Sequence, residues 1–317
     1  MIFMRCFLFL PLLFLLSCES KVGPLPEVAS TAIPLIIDAD TANEVDDLFA
    51  LVGGLAHAKK SKKYSLKGIT SAQFHTSPLA SSMTVLESQR INEDIIRIMD
   101  CPDVATPLGS NLPLPNDSMP AISEASSFII AQANATPVGE KLQLFVLGSC
   151  TNAASAILQD PSIIPRIHIR YLGFWYDPAT GFYDKKEFNS GNDTFAVNVL
   201  LNTPGLEFTV MTATTSQRLV FDRDTVARQL TGTGEMGEYL LNRWNTYDRW
   251  WTKEDPEKQR WVMWDVALIE AFFNPELATL EQRSTPPENR PRKISVYIHL
   301  DSVKMEAGFW SMMNTDK

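Results

Sequence analysis

Residues 34–39, 64–74, 141–147, 167–174 and 206–213 read as strands, several of them almost continuously apolar, and the chain between them repeats its hydrophobic residues at helical spacing. Strands that lack a polar face are buried on both sides, as in a sheet covered above and below. Leu48, Leu51, Val52 and Leu55 recur at i, i+3, i+4 and i+7, and Val85, Ile91, Ile95, Ile96 and Met99 mark a second helix. Strand followed by helix, repeated, implies right-handed crossovers. The fold class expected is therefore α/β, an open, mainly parallel sheet with helices on both faces. Residues 284–293 read as a loop, and residues 294–300 alternate as a late edge strand should. No internal repeat or shift of composition divides residues 34–317, which read as one domain.

The N-terminus has a different character. Residues 1–18 combine Arg5, an apolar run over 7–16 and Ser17-Cys18, the pattern of a secretory signal. The run is short for a bilayer span. Leu15-Leu16-Ser17-Cys18 resembles a bacterial lipobox, which implies a lipidated Cys18 and a protein held at the membrane of the cell envelope. Residues 19–33, with Pro24 and Pro26, read as a tether. An ordinary cleaved signal or a retained anchor is the plainer alternative. Two cysteines remain, Cys101 and Cys150, whose spacing gives no support for a disulfide. Acids outnumber bases by 37 to 28, a net charge of -9, which argues against a nucleic-acid partner.

The first apolar run ends in Asp38-Ala39-Asp40-Thr41-Ala42-Asn43-Glu44-Val45-Asp46-Asp47, five acids in ten residues, with no Lys or Arg from Val22 to Ala58. Ligands in open α/β sheets bind at the carboxyl ends of strands. Two carboxylates about 4 Å apart repel by roughly 4 kcal/mol at an effective dielectric near 20, so this cluster calls for a cation or for protonation. Oxygen donors without neighbouring His or Cys suit Ca²⁺ or Mg²⁺. Capping of the following helix would account for one or two acids, not five. An EF-hand loop from Asp38 would require Gly at position 43 and Glu at position 49, where Asn43 and Phe49 stand. The strand with DxDx[TV] of the haloacid dehalogenase-like phosphatases fails only at Ala42; that reading makes Asp38 a nucleophile beside Mg²⁺.

Asp38-Ala39-Asp40 with Asn43-Glu44-Val45-Asp46-Asp47 also resembles the N-terminal signature of the nucleoside hydrolase family, with Ala42 for the usual Gly. Four further segments are similar to that family in order: Gly68-Ile69-Thr70-Ser71, Leu147-Gly148-Ser149-Cys150-Thr151-Asn152, Glu187-Phe188-Asn189 and Trp264-Asp265-Val266-Ala267. The resemblance implies a Rossmann-like α/β fold, Ca²⁺ as cofactor, and hydrolysis of the N-glycosidic bond of ribonucleosides or related N-ribosides to ribose and free base. It implies that Asp40, Asp47, Asp265 and the Leu147 carbonyl bind the metal and that Asp40 is the catalytic base. Asp46, Glu187 and Asn189 would hold the ribose, and Asp38 would orient the shell. His75 falls near a ribose-binding Asn of the family, with an ordinary loop histidine as the alternative. Trp264 stands where many members carry a His that protonates the leaving base. An indole stacks but does not donate as an imidazolium does. The tryptophans at 244, 250, 251, 261 and 264 read first as core or loop packing, with base stacking as the functional alternative; His57, His168 and His299 read as structural. Dimers or tetramers are a family expectation. A non-catalytic envelope lipoprotein that binds a nucleoside or sugar is the competing function.

Overall fold

The computed structural model describes residues 32–313, so the signal, Cys18 and nearly all of the tether lie outside the described residues. The strands are β1 (Ile33–Ala39), β2 (Tyr64–Ser71), β3 (Leu142–Val146), β4 (Ile167–Leu172), β5 (Trp175–Asp177), β6 (Phe182–Asp184), β7 (Glu207–Met211), β8 (Val220–Asp222), β9 (Arg260–Val262), β10 (Ala278–Ser284) and β11 (Lys293–Leu300). The helices are α1 (Asp46–Lys60), α2 (Thr84–Ile98), α3 (Glu124–Ala135), α4 (Thr151–Gln159), α5 (Phe188–Asn192), α6 (Thr194–Asn202), α7 (Ala213–Ser216), α8 (Arg223–Leu230), α9 (Glu235–Thr246), α10 (Trp264–Phe273) and α11 (Ser302–Met313).

Seven strands form the central sheet in the order β10-β11-β7-β4-β3-β1-β2. All neighbours are parallel except β10 and β11. The alternation of β1 explains its unbroken apolar run. Leu35 and Ile37 enter a core shared with α1, α9, α10 and α11, while Ile36 enters the opposite core with α3, α4 and α6. In α1, Asp46 and Asp47 occupy the first turn and Lys59 and Lys60 the last, which suits the helix dipole at both ends. Ser123 and Ser126 form a capping box that starts α3.

Two expectations are corrected. Residues 294–300 are not an edge strand, because β10 pairs antiparallel along the outer side of β11. Ala278–Ser284 is mostly polar and alternates between half-buried and exposed, which hides it as a strand and protects it as an edge. Folded structure also begins one residue earlier than the tether boundary implies, since Ile33 pairs with Tyr64. Cys101 and Cys150 are buried free thiols. His57 joins α1 to α10 by a 3.0 Å contact with buried Glu270 and stacks on Phe273. Among the described residues no helix is long and apolar enough to cross a membrane.

The strand order reverses between β1 and its two neighbours, β2 on one side and β3 on the other. That switch point opens a crevice at the carboxyl ends of the strands. The acidic segment leaves β1 there.

Candidate active site

A cavity of about 330 Å³ lies at this crevice. Asp40, Asn43, Glu44, Asp46 and Asp47 form one wall, Leu147 and Asp265 lie beside them, Leu172 ends β4, and Glu187, Phe188 and Asn189 come from the start of α5 after β6. Each acid arrives through an identifiable local feature. Asp40 follows the last residue of β1, whose Asp38 carbonyl accepts the Leu147 amide at 2.8 Å and so sets the β3 exit next to it. Asp46 and Asp47 open α1, and Asp265 lies in the first turn of α10. Asp46 Oδ2 accepts the Asp265 backbone N–H at 3.0 Å, which locks the two helix N-termini together. Both helices direct their positive ends at the acids.

Carboxylate oxygens of Asp46, Asp47 and Asp265 lie within 4.8 Å of one another. Asp40 Oδ2, Asp46 Oδ1, Asp47 Oδ1 and Asp265 Oδ1 are buried without a hydrogen-bond partner. Burial raises the carboxyl of Asp46 to about 7, against backbone N–H donors that lower it, and raises Asp40, Asp47 and Asp265 well above the usual range, where the neighbouring carboxylates add to the rise. Four orphaned oxygens facing one space fit a hard, oxygen-liganded cation. Gly148 packs against Asp40: a Cβ there would lie 2.6 Å from Asp40 Oδ1.

The opposite wall is also preorganised. Glu187 caps α5; its Oε1 accepts the Asn189 amide, and its Oε2 accepts the amides of Phe174 and Ser190 and the Ser190 hydroxyl, all at 2.9 to 3.0 Å. Burial raises Glu187 and these donors oppose the rise. Asn189 Nδ2 donates to the Leu147 carbonyl at 2.6 Å, joining an expected metal-binding oxygen to an expected sugar-binding side chain.

The structure thus brings Asp40, Asp46, Asp47, Leu147, Glu187, Asn189, Trp264 and Asp265 to one cavity and leaves His75 out of it. His75 is exposed and its Nδ1 is 2.6 Å from Gln73 Oε1, as suits a loop histidine. Asp38 is fully buried, held by Thr70 and Asn152, and does not line the cavity, so it has no access as a phosphatase nucleophile. The tryptophans divide. Trp244 and Trp261 are core, whereas Trp250, Trp251 and Trp264 line the cavity together with Trp175. Glu44, to which motif spacing assigns no role, also lines the cavity. Its two oxygens accept the indole N–H groups of Trp251 and Trp261, the latter at 3.2 Å. Tyr247 and Arg243 donate to the carbonyls of Asn43 and Ala42 and fasten the same segment from α9.

The family model of the inosine-uridine preferring nucleoside hydrolases matches residues 35–305. Among solved structures, the plant nucleoside hydrolase PpNRh1 is similar at 16% identity and a TM-score of 0.67, covering 89% of this chain and 99% of that one. A purine-preferring ribonucleoside hydrolase from Gardnerella vaginalis gives 18% identity, a TM-score of 0.67 and coverage of 88% and 98%. An inosine-uridine preferring nucleoside hydrolase from Bacillus anthracis gives 16%, 0.63, 89% and 99%. No protein of curated function matches the chain in sequence. With the family model spanning most of the chain and the sheet, helices and acid cluster arranged as described, this protein belongs to the nucleoside hydrolase family, hydrolases that act on N-glycosyl compounds.

Proposed function

We propose that the protein hydrolyses the N-glycosidic bond of ribonucleosides or related N-ribosides in a calcium-dependent manner, giving ribose and free base. The observation that carries this reading is the convergence of four buried carboxyls with orphaned oxygens on a cavity whose far wall is Glu187 and Asn189. Asp40, Asp47, Asp265 and the Leu147 carbonyl would hold the ion, and Asp46 lies close enough to share that task. Calcium, when bound, supplies an acidified water and a fixed seat for the sugar diol.

The chain's own residues do the rest. Asp40 takes the proton of the attacking water. Asp46 accepts a ribose hydroxyl, and Asn189, held by the Leu147 carbonyl, sets the sugar against the wall. The Glu187 carboxylate, fixed by three backbone amides and a hydroxyl, favours the positive charge that develops on the sugar. Trp264 packs against the leaving group.

Release of ribose from purine and pyrimidine nucleosides tests the reading, with calcium and then with chelator, beside Asp47→Ala. Chelator-sensitive release that disappears in Asp47→Ala is expected. Tight nucleoside binding without release from any riboside would replace the hydrolase with a binding protein. Gly148→Ala should keep the fold, by circular dichroism, yet displace Asp40 and cut turnover on the order of 10²-fold.

The resemblance of residues 15–18 to a lipobox supports anchoring at the bacterial envelope through a lipidated Cys18. Metabolic labelling with a fatty-acid analogue should mark the protein and fail to mark Cys18→Ser, which should leave the membrane fraction. Equal membrane association of the two would remove the lipid anchor.

A further inference from the structure

No Lys or Arg occurs from Val22 to Ala58, yet Lys59, Lys60, Lys62 and Lys63 then follow almost without a break, in a chain of net charge -9. All four are exposed. Helix-dipole compensation accounts for the first two, which close α1. Their ammonium groups donate to the carbonyl of Met99, the C-cap of α2, at 2.8 Å and to that of Met312 in the last turn of α11 at 2.6 Å. It does not account for Lys62 and Lys63, which lie beyond the helix in the turn to β2. The Lys63 ammonium lies 5.2 Å from the Tyr64 ring. Among the described residues none of the four lysines forms an ion pair.

The place of this turn in the fold gives the charge a direction. The Lys63 carbonyl accepts the Ile33 amide at 2.8 Å, so the lysines surround the point where the N-terminal segment joins β1. Because β1, β2, β3, β4, β7 and β11 are parallel, their amino ends share one end of the sheet. Arg166 and Lys293 stand at that end too, before β4 and at the start of β11, and Glu207, which opens β7, is met by Lys141 and His168. The acids of the cavity gather at the opposite, carboxyl end. The protein is therefore polarised, basic where the chain enters the fold and acidic at the cavity.

We propose that this lysine face docks on an anionic lipid bilayer and turns the cavity mouth to the aqueous side. Even fully extended, residues 19–32 reach no more than about 50 Å. A chain held at Cys18 thus keeps the face close to the bilayer, where a modest attraction suffices to orient it. Each lysine near such a surface contributes about 1 kcal/mol, roughly fivefold in affinity. Neither turnover nor acylation is needed for the attraction, so it is measured apart from both.

Co-sedimentation of the full-length protein carrying Cys18→Ser tests the docking. The vesicles are phosphatidylcholine alone or phosphatidylcholine with about one third phosphatidylglycerol. Expected at low salt is binding to the anionic vesicles tighter by roughly 100-fold or more, lost at about 1 M salt, where the Debye length is about 3 Å. Lys62→Gln with Lys63→Gln should weaken it roughly 30-fold, two lysines at about 1 kcal/mol each. Lys253→Gln with Lys304→Gln, exposed near the carboxyl end, should weaken it by less than about threefold. Arg5 and Lys21 are common to all these proteins and cancel. Equal binding to the two kinds of vesicle overturns the docking, as does an unchanged affinity in Lys62→Gln with Lys63→Gln. An equal loss in the two double variants overturns it as well, since net charge alone would then explain the binding. Displacement by inorganic phosphate, but not by chloride at the same ionic strength, would make the turn a phosphate site and overturn it too. Acetylation of the vesicle-bound protein reads the orientation: labelling of Lys60 should fall by about fivefold or more against the free protein and that of Lys253 should not. The reverse pattern would put the cavity mouth on the bilayer and overturn the orientation.

Discussion

Asp40→Asn is expected to lower kcat by roughly 10²- to 10⁴-fold, the usual contribution of a positioned general base, while leaving a measurable calcium affinity. Asp40 is 2% exposed, and its Oδ2 has no hydrogen-bond partner among the described residues. Gly148 crowds its other oxygen, which limits where the side chain can turn. Asparagine keeps the shape and removes the basic oxygen. The cation seat retains Asp46, Asp47 and Asp265, whose oxygens lie within 4.8 Å of one another. Calorimetric titration with calcium therefore separates the roles: Asp40→Asn loses turnover with most of its binding kept, and Asp47→Ala loses both. Turnover of Asp40→Asn within fivefold of wild type would remove Asp40 from the proton transfer.

How far the sequence could be read follows from what each segment does physically. β1 is legible because it is enclosed by two cores, so neither of its faces carries polar residues before Asp38, whereas β4 and β7 show through one apolar face, Ile167, Ile169 and Tyr171 in the first and Phe208 and Val210 in the second. The acid segment after β1 is legible for the opposite reason, since five clustered carboxyls contradict burial unless a ligand balances them. Edge strand β10 hides in a charged, half-exposed stretch that burial does not mark. Tertiary partners are less legible still. The indoles that hold Glu44 come from more than 200 residues away, and no local pattern joins them. The tryptophans defeat a single reading because an indole serves equally as core, as Trp244 and Trp261 do, and as pocket wall, as Trp251 and Trp264 do. Motif spacing places His75 near the ribose, whereas its imidazole meets Gln73 of the same loop and does not line the cavity.

Chelated protein is expected to melt at a lower temperature at pH 8 than at pH 5.5, and calcium to shrink that difference. Burial raises Asp38 and Asp46 from 3.8 to about 7, Glu44 from 4.5 to about 8, and Asp40, Asp47 and Asp265 well above 3.8. A carboxyl whose folded value lies above its unfolded one keeps its proton in the native state after the unfolded chain has lost it. The native state then binds more protons, so stability falls as pH rises from about 4 through about 7 for Asp38 and Asp46 and on through about 8 for Glu44. His168, which burial and Arg170 lower to about 3, contributes a single step of opposite sign below its unfolded 6.5, and the carboxyls outnumber it. A bound cation removes the term of the carboxyls that hold it, because ionised ligands, like the unfolded chain, carry no proton above about pH 5. At a calcium concentration near 100 times Kd the gain is about 2.7 kcal/mol, or roughly 5 to 10 °C for a domain of this size. Asp47→Asn separates charge from shape: in chelator it should melt above wild type, because one repelling carboxylate is gone, and with calcium below it. If chelated wild type melted higher at pH 8 than at pH 5.5, positive charge would have to reach the cluster from the protein itself, and the orphaned oxygens would no longer argue for a cation.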